Sequence, residues 1–258
     1  MTWRVSTGLR NAVAHAQGLA GALNRGYIDI YSGSQPTSAD GVKGTLLVQL
    51  TASSGALTKE TRATGSVEIT AAAGGSINTI TVGGLNIIPD GAITATVGDT
   101  AATASDLCDA INRNGIMEAS LSGSTVTLKG RPGTGVTTAA VAGSLTTVTA
   151  NYVAMGSGVA GVAPVNGLIL GVPASGIITK PSTQVWSGIA VAPGTASWGR
   201  FYSSQAADTG AALSAAPWYP RLDGSCGVGS GDFQLSTINI VLHLPVTLDT
   251  FQVTAPAS

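Results

Sequence analysis

Charged residues are scarce in this sequence. Asp, Glu, Lys and Arg make up 10% of its 258 positions, against about 25% in an average soluble domain. The 12 Lys and Arg are balanced by 13 Asp and Glu and form no basic run, which argues against a nucleic-acid-binding surface. A net charge of −1 gives copies of the chain little electrostatic repulsion. The composition therefore predicts a chain that is buried among protein partners.

Cysteines and aromatic residues are also few. Cys108 and Cys226 are the only cysteines, too few for a disulfide scaffold or a complete structural zinc site. Aromatic residues make up 5% of the chain although hydrophobic residues reach 44%, so much of the apolar content is Ala and Val. The first six residues lack the apolar stretch of a signal peptide, so we expect synthesis in a cytoplasm, with reduced thiols.

One long segment has no charge at all. No Asp, Glu, Lys or Arg occurs between Pro132 and Thr179, and residues 153–172 are mostly apolar. Gly167 and Gly171 have the spacing of small residues in paired membrane helices. Other glycines and prolines interrupt the segment so often that no membrane-spanning helix is predicted. A loop-and-strand segment that is buried or covered by a partner is the better interpretation.

Two helices are predicted. The first begins near Thr7 and extends to Leu23, with Gly18 as a weak point. The second covers residues 100–114 and has apolar residues at the i, i+3, i+4 and i+7 positions, followed by an Asn-Gly stop. Cys108 belongs to that apolar face, so we expect it to be a small buried side chain.

Nearly everything else has the pattern of β-strands. Residues 238–244 carry an apolar residue at every even position, which is typical of a sheet with one covered face. Asp90-Gly91, Asp223-Gly224 and Gly83-Gly84 are turn signals. The predicted strands are 27–31, 45–50, 67–70, 77–82, 92–97, 125–129, 184–191, 198–203, 233–244 and 246–254.

The composition changes twice along the chain. Residues 64–150 form Thr-, Ala- and Gly-rich strands around the second helix, whereas the flanking segments hold every Trp and Phe. We therefore predict a discontinuous outer β domain, 1–63 with 151–258, and an inserted domain over 64–150, with the junctions near 58–65 and 151–180. The fold class is mainly β, with an outer domain like a β-sandwich or jelly roll and a small β-rich insertion that has one helix.

Acidic residues and histidines give no catalytic pattern. Asp106 and Asp109 share an edge of the second helix and Asp99 lies near its start, positions that the helix dipole and solvation explain. His15 and His243 lie 228 positions apart, and neither has a carboxylate or thiol at ligand spacing. Neither a metal site nor a His-based triad is predicted.

Other motifs are equally uninformative about chemistry. Gly156–Gly161 matches G-x-G-x-x-G, but Pro164 follows where a nucleotide-binding helix would have to begin. Cys226 lies in a predicted flexible turn with only Arg221 as a nearby cation, so an activated thiolate is not indicated. We therefore predict no catalytic residues, no cofactor, no metal and no enzymatic activity. The aromatic residues that could stack sugars or bases, although core packing is commoner for them, are Trp186, Trp198, Trp218 and Tyr219.

The two ends of the chain carry motifs that are distinctive in combination. They are STGLRN (6–11), GYIDIYSGSQP (26–36), AD (39–40), GTLL (44–47), GTASWGRF (194–201), DTGA (208–211), RLDGS (221–225), GDFQLS (231–236) and FQVTAPA (251–257). Through these motifs the chain resembles virion structural proteins encoded by tailed bacteriophages and prophages. The resemblance covers roughly the first 50 and the last 75 residues and implies a structural role.

The middle of the chain carries three further motifs. SINTITVGG (76–84) precedes TASDLCDAIN (103–112), and STVTL (124–128) follows. This part of the chain is similar to a different phage module. Such modules are small, β-rich, Ig-like insertions in phage tail and fibre proteins. The resemblance implies that the inserted domain is Ig-like.

Three functions follow as hypotheses. The first is a non-enzymatic virion protein, present in multiple copies on the tail, neck or fibre apparatus and made in the bacterial cytoplasm. Its partners would be itself and other virion proteins of the tail, neck or capsid, with no nucleic acid and no membrane. The second is a capsid decoration (cement) protein, which differs in copy number. The third is a host-recognition module that binds surface glycans through exposed Trp186, Trp198 and Trp218.

The uncharged segment supplies the candidate interface. We expect residues 151–179 and 2–23 to be ordered mainly by neighbouring subunits, since glycine-rich apolar chain is costly to order alone. The alternative is that 151–179 is an internal strand of its own domain. The candidate interface residues are Val153, Met155, Val159, Val162, Leu168, Ile169, Leu170 and Val172.

Overall fold

The structure, a computed structural model, describes residues 3–14, 18–130, 138–205 and 219–254. It divides into two compact units: the outer unit is Met1–Glu60 with Pro164–Ser258, and the inner unit is Thr61–Ala163. The sequence placed the junctions near 58–65 and 151–180, and within those ranges the structure extends the inserted domain from the predicted 64–150 to 61–163. The backbone explains this shift, because residues 159 and 162 pair with 64 and 61 inside the inner unit.

The mainly β fold is confirmed. In the described chain the helices are α1 (Thr7–Ala14), α2 (Gly18–Leu23) and α3 (Thr100–Asn114), and the strands are β1 (Arg4–Val5), β2 (Tyr27–Ser32), β3 (Thr45–Ala52), β4 (Thr64–Val82), β5 (Leu85–Asn86), β6 (Ile93–Thr94), β7 (Glu118–Ser122), β8 (Thr125–Lys129), β9 (Val141–Val153), β10 (Ile177–Thr179), β11 (Trp186–Ile189), β12 (Gly194–Thr195), β13 (Trp198–Tyr202), β14 (Arg221–Gly227), β15 (Phe233–Leu235), β16 (Asn239–Ile240) and β17 (Pro245–Thr254).

Seven strands of the outer unit close into a barrel. The order β14–β13–β2–β3–β11–β17–β15 returns to β14, and every contact is antiparallel except β14–β15. The short strands β1 and β10 are added to β14 and β17. Closure removes the long open edges that invite unwanted strand pairing. The structure thus gives the outer domain a closed form in place of the expected sandwich or jelly roll.

Large aromatic side chains fill the barrel core. Trp186, Phe201, Phe233 and Phe251 are buried, and the partly buried Trp3 packs against them. Neighbouring ring centroids lie 5.1 to 5.8 Å apart, mostly in edge-on or tilted arrangements. That spacing is favourable for aromatic pairs, which contribute about 1 kcal/mol each beyond their buried area.

The inner unit is built around the long ribbon of β4 and β9. The sequence predicts separate strands at 67–70 and 77–82, but β4 runs through both, and its pairing with β9 is irregular near Gly74 and Gly75. Gly75 has φ +81°, and a Cβ there would lie 2.0 Å from the Oγ1 atom of Thr147. Only glycine fits at this position, so the irregularity is encoded by the Gly-Gly pair.

The helix of the inner unit, α3, has the predicted bounds and the predicted C-terminal stop. The Asp99 side chain accepts a hydrogen bond from the Ala102 amide at 2.9 Å, and Gly115 adopts the left-handed conformation (φ +61°) just after the helix. Leu107 and Ile111 are fully buried and Cys108 is nearly so. They join an aliphatic core of Ala, Val, Ile, Leu and Met residues, which confirms the predicted apolar face of the helix.

Two sequence predictions about local structure are wrong. Asp223-Gly224 and Cys226 lie within β14 and form no flexible turn. Residues 233–244 are two short strands followed by a turn at 241–244, where His243 has φ +64°. The apolar alternation there therefore does not mark one covered strand, because Leu242 and Leu244 are exposed.

Candidate functional site

A row of four charged side chains and one amide crosses one part of the barrel wall. Gln49, Asp29, Arg200, Asp223 and Arg4 lie at paired positions on the successive strands β3, β2, β13, β14 and β1. Alternating positions on a strand face opposite sides of the sheet, and the intervening residues belong to the barrel core. We call this row the charge ladder.

The ladder is centred on a buried ion pair. The Nε and Nη2 atoms of Arg200 donate to the two carboxylate oxygens of Asp223 at 2.6 and 2.7 Å, and both side chains are fully buried. The Nη1 atom of Arg200 donates to the backbone oxygen of Gly41. This bidentate geometry is what a buried charge pair needs to offset desolvation.

Asp29 is the candidate acid or base of the ladder, since burial raises the pKa of its carboxyl group. Its two oxygens accept hydrogen bonds from the Gln49 amide at 2.9 Å and the Tyr31 hydroxyl at 3.1 Å. The Tyr31 hydroxyl lies 2.9 Å from that of Tyr202, and burial raises the pKa of Tyr202 to about 12. Asp29 is thus enclosed by side chains of the barrel wall, an arrangement that suits stability better than proton transfer to a substrate.

The segments that carry the phage resemblance meet at the ladder. Arg221 donates to Asp40 at 2.9 Å, and Asp40 also accepts from the backbone and hydroxyl of Thr7. The Ser6 hydroxyl accepts from the amides of Leu9 and Arg221. These contacts join the first 50 residues to the last 75 within one unit.

The N-terminal part of the candidate interface is corrected by the structure. Leu9, Ala12, Ala22 and Leu23 are buried in the core of the outer unit itself. These four residues therefore need no neighbouring subunit to cover them, and partner contact stays a prediction for the exposed Val5 and Val13.

The eight candidate interface residues fall into two groups. Met155, Leu168 and Leu170 are buried within their own units, at 2%, 0% and 9% exposure, so the expectation that a partner covers them is wrong. Leu168 is held in place because its amide donates to the backbone oxygen of Gly26 at 2.7 Å. Partner contact stays a prediction for the five exposed residues, which are Val153, Val159, Val162, Ile169 and Val172.

A second set of exposed apolar residues was missed by sequence reasoning. His243 donates its amide to Ala190, which in turn donates to Leu244, so the end of β11 lies beside the turn before β17. The alternation in 238–244 was the available signal, but it was interpreted as a covered strand. The exposed side chains at this end of the barrel, which we call the apolar patch, are Ile189, Val191, Val241, Leu242 and Leu244, each 41% to 60% exposed.

Two of the three tryptophans proposed for glycan stacking, Trp186 and Trp198, are not on the surface. Trp186 and Trp198 are fully buried; Trp186 packs in the barrel core, and Trp198 stacks on Tyr31 with ring centroids 4.5 Å apart. Trp218 lies outside the described residues, and Tyr219 is half-buried. The expectation of an aromatic platform is therefore wrong for Trp186 and Trp198.

The remaining motifs have structural explanations. Residues 156–161 form turns and bridges with no helix after them in the described segment up to 205. Burial raises the pKa of the Cys226 thiol, which disfavours a reactive thiolate. Asp106 and Asp109 are exposed on α3, and His15 lies outside the described residues.

The described residues contain neither a cluster of metal-binding side chains nor a membrane-spanning helix. Within them, no group of three or more His, Cys, Asp or Glu side chains is placed to hold a metal ion. No helix in these parts of the chain is long and apolar enough to cross a membrane. No family model, curated protein or solved structure matches the chain.

Proposed function

We propose that the chain is a non-enzymatic structural subunit of a tailed-bacteriophage virion, assembled in multiple copies on the tail, neck or fibre apparatus. The observation that carries the proposal is the apolar patch, together with the resemblance of both chain ends to phage virion proteins. Exposed clusters of large apolar side chains on soluble proteins mark interaction sites. Burial of such surface contributes roughly 25 cal/mol per Å².

The low charge of the chain fits the same role. A central interface region is depleted in charged residues, and the apolar patch contains none. Copies of a chain with net charge −1 can approach one another without strong repulsion.

The test of the proposal is mass spectrometry of purified phage particles. We expect peptides of this chain in intact particles, and their absence from the particles would contradict the proposal. Quantification also separates the two virion roles. A few to a few dozen copies per particle indicate tail or neck, whereas hundreds indicate capsid decoration, for which the apolar patch would serve equally well. Flanking genes for portal, capsid or tail proteins would support either role.

The apolar patch can be tested with one matched pair of variants. Val191→Asp places a charge within the patch at a residue 60% exposed, whereas Val97→Asp changes a valine of the inner unit that is 76% exposed. We expect Val191→Asp to prevent incorporation into particles while the thermal unfolding temperature of the purified chain stays unchanged. Normal incorporation of Val191→Asp would exclude the patch as the assembly surface.

A further inference from the structure

The outer unit also contains a polar cavity of about 440 Å³. It lies where β1 and β14 meet the turn before β15. Its volume is in the range of small-molecule sites, roughly 300 to 1,000 Å³. The side chains that line it are all polar or charged. They belong to Arg4, Gln35, Ser225, Ser230, Asp232 and Gln234.

Asp232 supplies an unused acceptor. Its side chain is 3% exposed, and its Oδ2 atom accepts hydrogen bonds from the amide and hydroxyl of Ser225, both at 2.9 Å. Its Oδ1 atom has no hydrogen-bond partner among the described residues. A buried polar atom without a partner is unfavourable, so a ligand that donates a hydrogen bond to it gains more than the same contact would give in water.

Gln35 supplies an unused donor. Its Nε2 atom is buried and has no partner within the described chain. Arg4 holds this residue in place, since its Nη1 atom donates to the backbone oxygens of Gln35 and Pro36. Gln35 lines the cavity, so this amide nitrogen can donate a hydrogen bond to a ligand there.

The charges of the cavity select the class of ligand. The free carboxylate oxygen of Asp232 repels an anion, and the guanidinium of Arg4 repels a metal cation in the same space. A neutral hydroxyl group meets both needs, because it donates to Oδ1 of Asp232 and accepts from Nε2 of Gln35. Ser230 and Gln234 add further polar groups for neighbouring hydroxyls.

We propose that this cavity binds a neutral, hydroxyl-rich ligand, namely one saccharide unit of a glycan. The site is independent of the tryptophans that the sequence suggested for glycan binding. It adds a recognition function to the structural role and does not depend on that role.

The test uses the full chain and saturation-transfer difference NMR with glucose, galactose, mannose and N-acetylglucosamine as probes. We expect binding of at least one of these sugars. Gln35→Leu removes the donor, and Asp232→Asn places an amide nitrogen where the free acceptor was. Each is expected to weaken binding at least tenfold, about 1.4 kcal/mol. The control Asp106→Asn, on the exposed face of α3, should bind like the unchanged chain.

Three results would overturn the proposal. They are no binding of any of the four sugars, equal binding by both cavity variants, and equal loss in the Asp106→Asn control. Tryptophan fluorescence and thermal unfolding verify that the variants are folded, and Gln35→Leu removes an amide nitrogen that makes no hydrogen bond with any described residue. Virion incorporation is measured separately, so a failure of sugar binding leaves the structural role untouched.

Discussion

The outer and inner units differ in the side chains that fill their cores. The outer core contains Trp and Phe rings, and the barrel wall adds the buried ion pair Arg200–Asp223. The inner core contains aliphatic residues around α3, and no Trp or Phe occurs anywhere in residues 61–163. Rings of large area suit the wide interior of a closed barrel, whereas small side chains allow a helix to pack closely on a sheet.

The difference teaches that each unit has its own source of stability and its own probe. Every Trp falls in the outer unit, so tryptophan fluorescence reports the unfolding of that unit alone. Cys108 is buried in the inner core and Cys226 packs against the outer core. Labelling of each thiol, followed by peptide mass spectrometry, therefore reports the opening of one unit at a time.

The largest loss of stability is expected for the change Leu168→Asp. Leu168 is fully buried in the outer core, and an unpaired carboxylate there should lower the free energy of unfolding by about 4 kcal/mol or more. Tryptophan fluorescence in a denaturant titration measures the loss. The neighbouring change Ile169→Asp, at a residue 46% exposed, should have little effect. Equal effects of the two changes would show that this segment is not part of the outer core.

Asp223→Ala should have the next largest effect and lower the free energy of unfolding by about 3 to 5 kcal/mol. It leaves the Arg200 guanidinium buried without its carboxylate partner. Tryptophan fluorescence should shift to lower denaturant while labelling of Cys108 stays protected. The double change Arg200→Met with Asp223→Leu removes both charges and should recover most of the loss. No recovery would mean that the pair itself, rather than the unpaired charge, governs stability.

Leu107→Ala tests the inner unit. Leu107 is fully buried against the sheet, and its truncation should lower the free energy of unfolding by about 3 kcal/mol. We expect faster labelling of Cys108 with an unchanged tryptophan transition, and a simultaneous shift of both signals would show that the units unfold together. Leu121→Ala, on β7 and 42% exposed, is the matched control and should change little.

The smallest effect is expected for Asp29→Asn, within about 1 kcal/mol at pH 7. The amide oxygen can still accept from Gln49, while the amide nitrogen donates to the Tyr31 hydroxyl, which then donates to Tyr202. Burial raises the pKa of Asp29 above 3.8, so the folded state holds this proton more tightly than the unfolded state. Ionisation of Asp29 thus lowers stability as the pH rises from about 4 through the raised pKa. In the variant this decrease should be absent, which urea titrations across that pH range would measure. If the stability of the variant fell with pH as that of the unchanged chain does, Asp29 would not be the group responsible for the decrease.

Local sequence patterns correctly predicted the helices and strands whose bounds and buried faces depend on residues close to one another in the chain. The span, C-terminal stop and buried face of α3 follow from residues within its own 15 positions, and most barrel strands were recognised from alternation or β-branched content. The strand predicted through residue 244 failed because alternation at 238–244 is interrupted by a turn, with His243 in a left-handed conformation that a single sequence does not reveal.

The candidate interface shows the same limit at single residues. Leu168 and Ile169 are adjacent and equally apolar, yet one is fully buried and the other is 46% exposed. Their difference arises from the pairing of Leu168 with Gly26, more than 140 positions away in the chain. The apolar patch and the polar cavity likewise could not be predicted as surfaces of the protein, because each combines residues from segments distant in sequence.

By itself, the sequence determined the mainly β class, an inner unit of small aliphatic side chains inserted into an aromatic outer unit, and helix α3. These features depend on composition and on periodicity over a few residues. Only the tertiary structure decided that the outer strands close into a barrel, that Asp29, Arg200 and Asp223 align across its wall, and which apolar residues stay exposed. Strand register and closure depend on contacts between residues far apart in the chain, and a one-residue shift in register would send each side chain to the opposite face.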